Sequence, residues 1–153
     1  MILYVLVTTL IAGSLDIAAA LINYKINTGK DPMNVLKFIA RGLLGKQTYA
    51  GPSMMPWIGL IVHFGVTLFW ITLFFLTYKI IWRKIPLVVN AIIYGLVVYL
   101  LMSFVVLPMT SLPALPRTFV SSIPDVIILM VCIGLPAAIG ARRCFGGQRY
   151  FMQ

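Results

Sequence analysis

The sequence predicts an all-α integral membrane protein: four transmembrane helices, plus a short amphipathic interfacial helix after the first span. Three observations predict it. Of 153 residues, 61% are hydrophobic and 10% charged, against roughly a quarter charged in a soluble domain. Four apolar runs are each long enough for the ~20 helical residues that cross a ~30 Å hydrocarbon core. The twelve Lys and Arg sit at the ends of those runs and between them, where a membrane protein keeps its cations. The length fits one domain, 1–153.

The net charge of +9 calls for anionic lipid headgroups as counter-charge. Nucleic acid is not expected, because no basic patch with interleaved aromatics stands apart from the spans.

The first span covers about 2–22. Its apolar run and small-residue end resemble a signal peptide, but no cationic segment precedes it and the run exceeds a signal h-region, so it reads as a retained span. Gly13, Ser14, Ala18, Ala19 and Ala20 crowd small side chains into its second half, which lets helices approach closely in lipid. Asn27, Gly29 and Lys30 mark a turn.

Asp31-Pro32 reads as an N-cap followed by proline at the first helical position. The helix it opens, about 32–45, repeats Val35, Leu36, Ile39, Leu43 and Leu44 at three to four residues, with Lys37 and Arg41 on another face and Gly45 placed to end it. It is too short to span, and its polarity suits the headgroup plane. The alternative is a helix folded over the loop ends.

A loop with Gly51, Pro52, Ser53 and Pro56 leads to the second span, about 57–81, bracketed by Trp57 and by Tyr78 and Trp82. Amphipathic rings prefer membrane interfaces, so all three are expected as anchors there. Trp82-Arg83-Lys84-Ile85 is a tight basic turn, and Pro86 opens the third span, about 86–107. A stiff link with Pro108, Pro113 and Pro116 follows. The fourth span, about 120–141, contains Pro136, expected to kink it, and is closed by Arg142 and Arg143. Cys132 and Cys144 are twelve helical residues apart, ~18 Å, far beyond bridging distance.

Positive-inside counting ties. Lys79, Arg83, Lys84, Arg142, Arg143 and Arg149 fall on the side of both termini; Lys25, Lys30, Lys37, Arg41, Lys46 and Arg117 fall on the other. The first group is packed tightly against span ends, where the rule is strongest, so both termini are expected in the cytoplasm.

The chain has three carboxylates, one histidine and no Glu. Asp16, His63 and Asp125 fall inside or at the mouth of apolar runs. An ionisable group at membrane depth costs at least ~2.5 kcal/mol and so marks a cavity or a bundle interior. Counting 1.5 Å per residue from the span ends puts Asp16 and His63 each about 9 Å below the first-loop side, with Asp125 and Ser103 at similar depth. Four helices thus offer Asp, His, Ser and Asp at one level, where a polar cavity open opposite the termini could form. Asp16 and His63 are expected within hydrogen-bond or one-water distance and to titrate as one unit.

Plainer readings exist for each. Asp16 can serve as a helix-to-helix hydrogen bonder, and His63 as a packing histidine. Asp125, after Ser121, Ser122 and Pro124, can complement a helix N-terminus. No HxxxH, HExxH or paired-cysteine spacing occurs, so neither metal nor cofactor is expected. Without a phosphate loop or nucleophile elbow, an enzyme would rest on this constellation alone.

GSLDIAAALINYKINTGKDPMNVLKFIARGLLG, then GLIVHFGVTLFW, then MSFVVLPMTSLPALP together resemble small bacterial inner-membrane proteins of the YagU-like group. The shared elements are an early small-residue span, a His near the start of the second span and a proline-rich link before the last. The resemblance implies a multi-pass four-helix bundle in a bacterial inner membrane. It brings no activity with it, and YagU-like members are longer in the first loop. Function is expected to be binding or passage of a proton, cation or small polar solute. The alternative is a scaffold or accessory subunit, as a homo-oligomer or beside another membrane protein.

Overall fold

A computed structural model describes residues 1–45, 53–110 and 119–146. Five helices account for nearly all of these residues: α1 (Ile2–Thr28), α2 (Met33–Leu44), α3 (Met55–Trp82), α4 (Leu87–Met109) and α5 (119–146). No strand occurs among the described residues. Four helices, α1, α3, α4 and the Ile123–Gly146 part of α5, are long and apolar enough to cross a membrane. Lys46, Pro52, Pro113, Pro116, Arg117 and Arg149 lie outside the described residues.

α1 continues past its apolar run to Thr28. Side chains of its last turns supply the reason. Asn27 Nδ2 donates to the Asn23 carbonyl at 2.9 Å and to Asn23 Oδ1 at 2.7 Å, and Thr28 Oγ1 donates to the Tyr24 carbonyl at 2.7 Å. The helix stops only at Gly29, whose φ of 67° is left-handed and whose N–H closes on the Lys25 carbonyl at 2.9 Å, the usual way a glycine ends a helix. Apolar length and helical length are set by different terms, and here they part by more than a turn.

α2 begins as its sequence predicts. Asp31 Oδ1 accepts the Met33 N–H at 3.0 Å, satisfying one of the orphan amides of the first turn. Leu36 and Ala40 are buried, one turn apart, while Arg41 and Leu43 are exposed. The buried face lies along the start of α3, where Gly59 sits directly under the Leu36 carbonyl; any side chain at Gly59 would collide with that backbone. α2 is therefore docked on α3, with few contacts to α1.

Proline shapes α4 and α5. A π-helical turn, Met102–Val106, stands two residues ahead of Pro108, and another, Met130–Gly134, two residues ahead of Pro136. Proline offers no N–H to the carbonyl four residues back and its ring crowds that carbonyl. A widened turn relieves both, so the helices pass through their prolines. In α4 this carries the helix past Pro108 to Met109, beyond the expected end.

α5 is the centre of the bundle, touching α1 along its length, α4 along another side and the end of α3. The α4–α5 crossing is reciprocal: Gly95 meets the Met130 backbone, and Gly134 meets the Ala91 carbonyl. Small residues at both contact points bring the backbones together, the favoured mode of helix association in lipid.

At the end carrying the α3–α4 turn, Phe74, Tyr78, Trp82, Tyr94 and Phe145 form an aromatic core, with Tyr78 stacked on Phe145 at 5.5 Å. This corrects the anchor reading for two residues. Tyr78 and Trp82 are buried, turned inward; Trp82 Nε1 is satisfied by Thr77 Oγ1 at 3.0 Å, so its polar edge needs no headgroup. Trp57 alone of the three is exposed, at 69%.

Candidate functional site

The polar groups are strung along α1. Thr9, Asp16 and Asn23 recur every seven residues, two helical turns, and therefore share a face. From Thr9 to Asn23 the line extends roughly 21 Å.

His63, on α3, meets this line at its middle. Its Nε2 lies 2.9 Å from the Gly13 carbonyl. A carbonyl only accepts, so Nε2 carries the proton and donates. The same Nε2 is 3.9 Å from Asp16 Oδ2, too long for a hydrogen bond but close enough for strong Coulomb coupling between nearly buried groups. Both side chains are largely covered, at 10% and 15% exposure. The approach needs Gly13, where a Cβ would fall 2.7 Å from the Phe64 ring. The Asp16 and His63 levels inferred by counting residues therefore coincide.

Asp125 enters from α5. Its Oδ1 accepts from Asn23 Nδ2 at 3.3 Å. Asp125 thus pairs two turns along α1 from Asp16 and stands apart from its level, a correction that follows from the extra length of α1. The backbone of α5 starts at 119, so Asp125 lies beyond the first turn, where the helix dipole is strongest. The cap reading gives way to a helix-to-helix link. Cys132, on α5, is buried.

Ser103 occupies the π-turn of α4, half-buried, and that turn packs mainly along its own helix. The structure brings Asp16 and His63 together and links Asp125 to Asn23 on the same face of α1. Among the described residues no group of His, Cys and Asp has metal-holding geometry. Cys132 and Cys144 are both free thiols. Lys37 is half-buried and Arg41 exposed on the outer faces of α2.

Sequence reasoning missed Asn23, although its seven-residue spacing from Asp16 was the signal. It also missed Asn90, the only amide in the third apolar run. Asn90 is 2% exposed and donates to the Trp82 carbonyl at 2.9 Å and the Ile85 carbonyl at 3.2 Å, tying the α3–α4 turn together. No protein-family model, curated protein or solved structure matches the chain.

Proposed function

We propose that the chain is a multi-pass membrane protein that binds or passes a proton or small cation at the polar line on α1, with Asp16 and His63 as the working pair. One observation carries the reading: two ionisable side chains from different helices lie 3.9 Å apart, nearly buried in an otherwise apolar bundle. Groups that costly to bury are retained at membrane depth for ion pathways and proton relays. Asp125, hydrogen-bonded to Asn23 on the same face of α1, supplies a second carboxylate.

By its YagU-like resemblance, the setting is a bacterial inner membrane. An even number of spans puts both termini on one side, and Lys79, Arg83, Lys84, Arg142 and Arg143 at that end favour the cytoplasm. α2, with Lys37 and Arg41 outermost, rests among anionic headgroups on the opposite side.

The full chain in phosphatidylcholine vesicles loaded with a pH-sensitive dye tests the function. An imposed potassium gradient should drive proton uptake in the native protein, and Asp16→Asn should abolish it while leaving assembly intact. Equal uptake in the two would remove the proposal.

A second reading has its own observation. His63 hydrogen-bonds a backbone carbonyl in preference to a carboxylate, and Asn23–Asp125 joins α1 to α5; both fix helix register. In that reading the protein is a scaffold or accessory subunit, and Asp16→Asn is silent in the vesicle assay.

A further inference from the structure

The aromatic end of the bundle opens into a pocket of about 560 Å³, which does not adjoin the Asp16–His63 pair. Arg83 and Lys84 reach it from the α3–α4 turn and Arg142 from the end of α5, while Ile85, Leu87 and Phe145 give it apolar walls. Lys79, outside that lining, rests 5.0 Å above the ring of Phe145, one of the wall residues.

Among the described residues no carboxylate lines this pocket. Of the protein's three carboxylates, Asp31 caps α2, Asp125 pairs with Asn23 and Asp16 faces His63. All are committed elsewhere. Asn90 adds a second, independent observation. It lines the pocket with Nδ2 donating to two carbonyls, while its Oδ1 is buried without a partner. The two carbonyl acceptors fix which end of the amide is oxygen. An orphaned buried acceptor asks for a donor.

We propose that this pocket binds a phosphate ester whose neighbouring group is a hydrogen-bond donor. Its phosphate is held by Arg83, Lys84 and Arg142, its hydroxyl or ammonium is turned to Asn90 Oδ1, and any acyl chain lies on Ile85, Leu87 and Phe145. An anionic phospholipid headgroup and a soluble glycerophosphate share this chemistry. A basic recess between helices at headgroup depth suits the first. The inference rests on the membrane reading for that lipid source and is independent of Asp16.

The test uses the full chain in a neutral maltoside detergent, with native mass spectrometry reading retention of dioleoylphosphatidylglycerol against dioleoylphosphatidylcholine. Arg83→Gln/Lys84→Gln/Arg142→Gln should lower phosphatidylglycerol retention about tenfold or more and leave phosphatidylcholine unchanged. Lys25→Gln/Lys30→Gln/Arg41→Gln, which removes equal charge from the other end, should leave both unchanged. Phosphatidylmethanol, equal in charge but lacking a headgroup donor, should be held several-fold more weakly. Glycerol 3-phosphate added as competitor separates the sources: displacement at micromolar concentration assigns the soluble ester, and no displacement assigns the lipid. Equal loss in the two triple variants, or no preference for the anionic lipid, overturns the proposal. Recovery of the chain outside the membrane fraction would remove the lipid source and the proposed function, while the glycerol 3-phosphate arm would still read the pocket.

Discussion

His63 holds two helices with one nitrogen. Its bond to the Gly13 carbonyl crosses from α3 to α1, and such links between helices average about 0.6 kcal/mol in lipid and reach about 1.7 at most. His63→Phe should therefore lower thermal stability in detergent only modestly, by about 1 kcal/mol. A loss above about 3 kcal/mol would mean that His63 carries more of the fold than one hydrogen bond explains. Gly13→Leu should cost more, because the Phe64 ring occupies the space a side chain would need. The Asp16–His63 juxtaposition was legible from counting turns along two apolar runs, since depth is a one-dimensional quantity. The choice of the Gly13 carbonyl as hydrogen-bond acceptor was not, because it depends on how closely the two backbones approach.

At the scale of elements, helix existence was readable and helix interiors were not. Four apolar runs became four long helices, and Asp31 caps α2, because burial propensity and capping are local. The sequence did not disclose that α2 would dock on α3 through Gly59, or that Tyr78 and Trp82 would turn inward. Those outcomes depend on which faces meet. Gly59→Leu should separate α2 from α3, since the added side chain meets rigid backbone at Leu36. Overpacking of this kind costs about 1–3 kcal/mol, and limited proteolysis should then cut within 33–44 much faster than in the native protein. Unchanged cleavage would show that α2 is held by other contacts. Pro108 was expected in the link after the third span and Pro136 within the fourth; a π-turn precedes each and the helix continues past it, a solution that composition does not announce.

For the whole molecule, the decisive question is which face each end of the bundle meets. With Cys132 and Cys144 replaced by Ala, single cysteines at Lys30 and Lys84 should label from opposite sides of sealed vesicles, and a cysteine at Arg41 should label from the same side as one at Lys30. Labelling of positions 30 and 84 from one side would refute the four-span arrangement. The architecture has a charge asymmetry that the even division of Lys and Arg hides. Asp31 and Asp125 stand toward the end containing α2 and Asp16 near the middle of α1, leaving the other end with cations and an unfilled amide acceptor.

The widened turn at Met130–Gly134 also bears on how the chain tolerates a change in length. A turn closed i→i+5 holds one residue more than a turn closed i→i+4, so the helix on either side keeps the phase it would have if that residue were missing. Deleting Val131, 53% exposed within the turn, should leave Ala137, Ala138 and Ala141 on the faces they now occupy. Deleting Leu10, 60% exposed in the regular helix α1, should rotate everything beyond it by about 100° and carry Gly13 and Asp16 away from His63. The first deletion also withdraws the relief that the widened turn gives Pro136, so expression and gel-filtration profiles should weaken with it and collapse with the second.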